Sequence, residues 1–204
     1  MDVTAKKPGP RHSAKEAIRE AAAQLFAEKG FAATSTREIC QRAGITKPVL
    51  YYHFGNKGQL YEELVLDTFN EYRKELQRAL RHGRTRREKL TTVLAAIFGF
   101  VRRNRHLSRM ALRMVFAPER QSPAINYLEL AQVDEKALAE VVREGVRRRE
   151  IRGQAEAIAE AMHGIAMTSI MGFLLTGEPR LDRRLAQHIV GLIMDGCATQ
   201  ATGR

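Results

Sequence analysis

The sequence predicts an all-α protein with an N-terminal helix-turn-helix domain and a larger helical domain, about nine helices in all. Apolar residues recur at intervals of three and four along the chain of 204 residues, and no stretch alternates apolar with polar residues as a strand would. Polar capping residues at helix starts and glycines at helix ends divide the N-terminal part into short helices. Residues 1–12, with two prolines and one glycine, are predicted to be a flexible basic arm.

The first four helices are defined by their caps. Ser-x-x-Glu capping boxes begin the first two helices, which glycines end at positions 30 and 44. A Thr-Lys-Pro sequence at 46–48 suits the start of the third helix, since a proline in the first turn loses no hydrogen bond. Asn56 caps a long fourth helix that continues to a His-Gly break. We therefore expect a helix-turn-helix domain over residues 13–56 and a connecting helix over 57–82.

Longer helices are predicted for residues 83–204. The spacing is most regular between Leu90 and Val101. A further helix ends before Pro118, another opens at Ser122 and runs to Arg149, and the last two span 154–175 and 182–199.

Composition limits the class of protein. The two cysteines, Cys40 and Cys197, form no Cys-x-x-Cys pair, which argues against a disulfide scaffold or a zinc site and favours a reducing cytoplasm. No apolar run approaches the roughly 20 residues of a membrane span, and no signal peptide is evident. The sequence contains no hydrolase, metalloprotease, dinucleotide or phosphate-loop motif, and its six histidines stand singly. We expect neither an enzyme nor a metal or cofactor, and no membrane partner.

The net charge of +11 is concentrated in the middle of the chain. Residues 73–120 hold 14 basic and 3 acidic side chains, whereas the flanking regions are nearly balanced. Overall charge therefore does not locate a nucleic-acid surface, and local motifs must do so.

Residues 34–57, TSTREICQRAGITKPVLYYHFGNK, carry the most informative motif. Two short helices joined by an Ala-Gly-Ile turn predict a helix-turn-helix, in which the second helix enters the major groove. If Leu50 and Phe54 point inward, the opposite arc carries Pro48, Val49 and Tyr52, with Lys47 at its exposed N-terminal end. Apolar, aromatic and basic groups on one arc suit thymine methyls and guanine acceptors better than they suit a merely solvated face.

These residues resemble the DNA-binding domain of the TetR family of bacterial transcriptional regulators. The resemblance covers about residues 13–64 and rests chiefly on Ala43-Gly44-Ile45-Thr46 and on Leu50-Tyr51-Tyr52-His53-Phe54 followed by Lys57. Cys40 departs from the small alanine that is usual there. The resemblance implies a C-terminal ligand-binding and dimerisation domain over residues 83–204.

The resemblance also implies roles for individual residues. Arg37 would contact a base, and hydroxyls at the start of the second helix would bind phosphate. The start of the third helix would contact bases. The aromatic residues at the end of the third helix, together with Lys57, would bind the DNA backbone. The alternatives are that Arg37 is only solvated, that Tyr51 is mainly core, and that His53 donates to a local carbonyl. The implied DNA contacts are Ser35, Thr36, Arg37, Thr46, Lys47, Pro48, Val49, Tyr51, Tyr52, His53 and Lys57.

The C-terminal part is less informative. Methionines and aromatic residues at helical spacing suit either an adaptable ligand pocket or ordinary core. The candidate pocket residues are Phe98, Val101, Met110, Met114, Phe116, Tyr127, Leu130, His163, Met167 and Met171. Apolar stripes on the last two helices predict a homodimer built on a four-helix bundle. The predicted dimer contacts are Ile158, Met162, Ile165, Ser169, Phe173, Leu185, Ile189, Leu192 and Gly196.

The function expected is a sequence-specific transcriptional regulator, a repressor that a small apolar or amphipathic effector releases from a near-palindromic operator of double-stranded DNA. The alternatives are a nonspecific nucleic-acid-binding or architectural protein and a small-molecule-binding bundle or enzyme without DNA function. For the basic middle, a solvated surface, long-range attraction of DNA by Arg102, Arg103 and Arg105, and an anionic-ligand site remain open.

Overall fold

The computed structural model describes residues 13–116, 122, 123, 125 and 132–196. These residues form nine α-helices, and no strand occurs in this part of the chain, as the sequence predicts. The helices are α1 (Ala14–Lys29), α2 (Thr36–Ala43), α3 (Lys47–Phe54), α4 (Lys57–Leu80), α5 (Arg86–Arg103), α6 (Arg105–Phe116), α7 (Val133–Arg147), α8 (Ala155–Thr176) and α9 (Arg183–Asp195).

The first four helices enclose one apolar core. Phe26 of α1 lies at its centre and meets the ring of Tyr61 edge to face, with 5.0 Å between ring centroids. Leu50 and Phe54, at i and i+4 on α3, are both buried in this core as their spacing predicts. The opposite side of α3 is therefore left for contacts outside the domain.

The second core is formed by α5, α7, α8 and α9 with the C-terminal half of α4. The regular apolar positions of α5, from Leu90 to Phe98, are fully buried in it. Met162 of α8 and Ile189 of α9 are also fully buried there. Because α4 contributes Leu60 to the first core and Leu76 to the second, this helix connects the two domains.

Helix α6 packs against both cores with opposite faces. Leu107 and Met110 lie against the N-terminal core, whereas Leu112 packs on the C-terminal core. At 100° per residue these two sets fall on different sides of one helix. Met110, which the sequence suggested as a pocket residue, is 3% exposed and belongs to the core of the N-terminal domain instead.

Arginines of the basic middle segment bind helix ends. Arg105 donates to the carbonyl of Phe173 at 3.2 Å and Arg109 donates to that of Leu174 at 2.6 Å, in the last turn of α8. Arg113 donates to the carbonyl of Lys29, the last residue of α1, at 3.3 Å. Carbonyls in the last turn of a helix carry the negative end of the helix dipole and mostly lack intrahelical donors, so guanidinium groups stabilise them. The carbonyl of Phe173 also accepts from the amide of Gly177 at 2.9 Å.

Other arginines of this segment form ion pairs. Arg103 pairs with Glu75 of α4, and Arg87 pairs with Asp195 of α9. Arg102 donates to the carbonyl of Leu181 at 3.2 Å. Arg102, Arg103 and Arg105, for which long-range attraction of DNA is one of three open alternatives, thus each also make a contact within the protein.

Two further sequence expectations are wrong. The helix that ends at Arg147 begins at Val133, with Gln132 as its N-cap, and not at Ser122. One described helix, α8, is also long and apolar enough to cross a membrane by length and composition, although the sequence suggested that no such run exists. The reason is that Glu156, Glu160 and His163 interrupt its apolar sequence without ending the helix.

Replacing the methionine that α6 places in the N-terminal core tests this packing. Met110→Ala should lower the free energy of unfolding by about 2–4 kcal/mol, because it removes a buried side chain and leaves a cavity. Urea unfolding followed by circular dichroism measures the change. Lys74→Ala, at an exposed position of α4, is the control and should change stability by less than about 0.5 kcal/mol. Equal stability of both variants would contradict the placement of Met110.

Candidate nucleic-acid interface

Two side chains fix the turn that precedes α2. Thr34 is 1% exposed, and its hydroxyl lies 2.7 Å from the carbonyl of Gly30 and 3.2 Å from that of Leu25. The ammonium of Lys57, in the first turn of α4, donates to the carbonyls of Phe31 and Thr34, each at 2.8 Å. It also lies 4.2 Å from the centre of the Phe31 ring. These contacts attach α1, α2 and α4 to one another at the base of the helix-turn-helix.

The N-terminus of α2 is closed by a complete capping box. The hydroxyl of Ser35 accepts from the amide of Glu38 at 3.2 Å, and the Glu38 carboxylate accepts from the amide of Ser35 at 3.0 Å. Lys29 forms an ion pair with the same carboxylate. The hydrogen bond with Lys29, followed by those from Ser35, lowers the pKa of Glu38 from 4.5 to about 2. The Glu38 carboxylate therefore stays ionised at neutral pH, and the capping box fixes where α2 begins.

The turn between α2 and α3 depends on Gly44. Its φ of 66° is left-handed, and its amide donates to Cys40 and Gln41 at the end of α2. A Cβ added at this position would meet no atom within 4 Å, so the backbone conformation and not space selects glycine. Burial raises the pKa of the Cys40 thiol, which lies in the N-terminal core.

The outward face of α3 carries Lys47, Pro48, Tyr51 and Tyr52. Tyr52 is 86% exposed and Tyr51 is 44% exposed, so neither ring belongs mainly to the core. Thr46 caps α3 without a side-chain hydrogen bond, which leaves its exposed hydroxyl at the same end of the helix. A cation, a hydroxyl and two phenols thus lie together on one surface.

Other predicted contacts are placed less favourably. Val49 is half-buried and packs on the N-terminal core, which removes it from the outward arc that the sequence suggested. His53 is half-buried beside the Tyr52 ring, at 5.2 Å between centroids. Thr36 is half-buried, and the hydroxyl of Ser35 is occupied by the capping box.

On α2, Arg37 is exposed one turn before Gln41, which is exposed as well. The two residues share a face because they stand at i and i+4. Arg42, the next residue, pairs instead with Glu28 of α1 at 3.0 Å. Sequence reasoning missed Gln41, although its spacing from Arg37 was the available signal.

The candidate pocket residues separate into different environments. Phe98 and Val101 are buried in the C-terminal core, whereas Met171 is 36% exposed on the surface of α8. His163 and Met167 are half-buried one turn apart. The side chains of Met114 and Phe116 and the residues Tyr127 and Leu130 lie outside the described part of the chain.

The predicted dimer stripe is partly internal. Met162 and Ile189 are buried in the core of their own domain, which corrects their assignment to an interface. Ile158, Ile165, Phe173 and Leu185 are half-buried, and they pack against the same core. Ser169 is half-buried, with its hydroxyl bound to the carbonyl of Ile165 at 2.9 Å. Only Leu192 and Gly196 of the predicted set are exposed.

The fold and this surface define a helix-turn-helix protein, and comparison with known proteins shows which family its N-terminal unit resembles. Residues 18–64 match the family described as bacterial regulatory proteins, tetR family. The HTH-type transcriptional activator FasR of Mycolicibacterium smegmatis is 30% identical over 115 residues, which are 56% of this chain and 52% of FasR. The HTH-type transcriptional repressor KstR2 of the same organism is 27% identical over 140 residues, 68% of each chain.

A solved structure extends the similarity to the whole fold. The TetR family transcriptional regulator PfmR from Thermus thermophilus superposes with a TM-score of 0.74 and 25% identity, over 89% of this chain and 99% of that one. Residues 18–64 are thus similar to the TetR family, and the fold of the chain is similar to that of a TetR family regulator. The aligned region spans about half the length of FasR, and the match to the family covers the helix-turn-helix unit.

The contacts of Lys57 change what its replacement should do. Lys57→Met removes two charge-assisted hydrogen bonds and a ring contact, so we expect a loss of about 2–3 kcal/mol in the free energy of unfolding. Lys47→Met, at an exposed position of α3, is the matched control and should leave stability within about 0.5 kcal/mol. Thermal and urea unfolding of both variants measure the difference. If the two variants unfolded alike, Lys57 would not hold the turn.

Proposed function

We propose that this protein is a sequence-specific DNA-binding transcriptional regulator that acts in the cytoplasm as a homodimer and has no enzymatic activity. The observation that carries the proposal is the exposed face of α3, with Lys47, Pro48, Tyr51 and Tyr52, on a turn that Gly44 sets. Helix α3 is the second helix of the helix-turn-helix, and that helix is the element that enters the major groove.

The side chains on this surface suit two kinds of DNA contact. Arg37 and Lys47 are long cations that can donate to guanine O6 and N7, and Gln41 can bind adenine in two places. Thr46, Tyr51 and Tyr52 have hydroxyls that suit phosphate oxygens. The ammonium of Lys57 faces protein carbonyls, so its phosphate contact is the weakest member of the predicted set.

A homodimer is supported by an uncovered face of α8 and α9. Leu175 is 78% exposed, and Met171 and Leu192 are exposed by 36% and 39%. The small residues Gly164 and Ala161 are exposed on the same side of α8. A second copy of the chain packed on this face would bury apolar surface. The dimer would then present two helix-turn-helix domains to a near-palindromic operator.

We propose that the protein is a repressor and that a small apolar or amphipathic effector releases it from DNA. Among its relatives, FasR is named an activator and KstR2 a repressor, so the family admits both. The alternative of a nonspecific DNA-binding protein rested on the net charge of +11. That alternative is weakened because Arg103, Arg105 and Arg109 bind groups of the protein itself.

Base preference tests the proposed readout. Selection of bound sequences from a random duplex library should give a near-palindrome for the native chain. Arg37→Ala should relax preference at one or two positions in each half-site and cost about 1–3 kcal/mol against the cognate base. Glu62→Ala, at an exposed position of α4, is the control and should keep the profile. Equal affinity of the native chain for selected and random DNA would refute sequence-specific regulation.

The dimer face has its own test. Leu175→Glu places two charges at the proposed interface of each dimer, so the dissociation constant should rise at least about tenfold. Sedimentation equilibrium measures it, with Lys136→Glu on α7 as the control. A native chain that sedimented as a monomer at micromolar concentration would exclude the proposed assembly.

A further inference from the structure

A polar cluster lies inside the C-terminal domain, where three helices bring Tyr72, Asp134 and His163 together. The hydroxyl of Tyr72 on α4 donates to Oδ1 of Asp134 on α7. The Tyr72 ring packs against Phe100 of α5, with 4.7 Å between centroids. An electrostatic interaction also connects His163 of α8 with Asp134. None of these residues lies on the DNA-reading surface.

One atom of this cluster lacks a partner. Nε2 of His163 is buried and makes no hydrogen bond to any part of the chain that the structure describes. A buried polar atom without a partner costs about 1–3 kcal/mol, so proteins seldom keep one without a use. The bond between Tyr72 and Asp134 could serve packing alone, but packing does not account for the imidazole nitrogen.

The three side chains of the cluster are half-buried, and Tyr72 packs against the apolar C-terminal core. Burial raises the pKa of Tyr72 well above 10, and the neighbouring Asp134 carboxyl raises it further. Burial raises the pKa of Asp134 as well, which the bond from Tyr72 and the nearby His163 partly oppose. Met167 stands one turn after His163 on the same helix, half-buried. The polar end of an amphipathic molecule would thus find hydrogen-bonding groups among apolar side chains.

The chemistry of the three side chains selects the kind of polar group. A hydroxyl can donate to or accept from His163, whichever nitrogen of the ring carries the proton. A ligand carboxylate would meet the carboxyl of Asp134, and like charges in an apolar setting repel strongly. A neutral hydroxyl or carbonyl group meets no such penalty.

We propose that Tyr72, Asp134 and His163 bind the polar end of the effector, and that this end is a neutral hydroxyl or carbonyl group. The proposal rests on the function proposed above, since it gives the chemical class of the molecule that the regulator senses. His163 makes the direct hydrogen bond, and Asp134, held by Tyr72, excludes anionic head groups.

Three probes of equal chain length test the head group: 1-decanol, decanoate and decylammonium. Isothermal titration of the full-length protein should show 1-decanol binding at least about tenfold more tightly than decanoate. Nitrogen NMR of histidine-labelled protein should show the Nε2 resonance of His163 shifting with 1-decanol. Tighter binding of decanoate or decylammonium, equal binding of all three, or no binding of any probe would overturn the proposal.

Variants test whether the named residues cause the preference for a neutral head group. His163→Phe keeps a ring without the hydrogen bond and should reduce the affinity for 1-decanol at least about fivefold. Asp134→Asn removes the carboxylate charge and should reduce the difference in affinity between 1-decanol and decanoate. His188→Gln, at an exposed histidine of α9, is the matched control and should change neither quantity. If His163→Phe and His188→Gln bound all probes like the native chain, the cluster would not be the site.

The failure of this proposal differs from a failure of the proposed function. Circular dichroism first establishes that each variant is folded, and DNA binding is then measured without any probe. A chain that binds selected DNA specifically but shows no head-group preference refutes the effector site alone. A chain without sequence-specific DNA binding refutes the regulator, whichever probes it binds.

Discussion

The contacts of α6 determine how the two domains are joined. Its arginines at 105, 109 and 113 stand one turn apart, and they bind the C-terminal carbonyls of α8 and α1. On its other sides, Met110 enters the N-terminal core and Leu112 packs on the C-terminal core. Helix ends leave carbonyls that need donors, and a guanidinium supplies several donors in a fixed plane. One helix therefore satisfies two helix ends and completes two cores, so its position and those of α1 and α8 depend on each other.

This arrangement also changes the meaning of the basic charge. A run of arginines commonly indicates a surface for nucleic acid, and a net charge of +11 invites that interpretation. Here Arg105 and Arg109 neutralise helix dipoles, whereas Arg87 and Arg103 neutralise carboxylates. The structure around each arginine shows which group it binds, whereas the composition of the chain cannot.

The sequence predicted the elements that depend on neighbouring residues and failed where partners are distant. Capping boxes, Gly44 and the i,i+4 pair of Leu50 and Phe54 are local, so the helix-turn-helix and its buried face were predictable. Met110 fits the periodicity of either core, and only the packing of α6 on α1 decides between them. The carbonyl partners of Lys57 lie 23 and 26 residues away, which no spacing rule anticipates. Met162 was assigned to the dimer interface for a related reason, since α8 is apolar around most of its circumference and its pattern cannot say which side faces its own core.

The position of α8 explains why so many features of the proposed regulator meet there. Its inner side completes the C-terminal core, its outer side carries exposed Met171 and Leu175, and between them lies His163 with its buried nitrogen. The last turn of the same helix is held by α6, which in turn packs on α1 of the reading head. A molecule that binds α8 can shift the position of the helix-turn-helix domain only if it binds one arrangement of these helices better than another. Because α6 is fixed by hydrogen bonds at both ends of its arginine row, a displacement of α8 must either break those bonds or move α1.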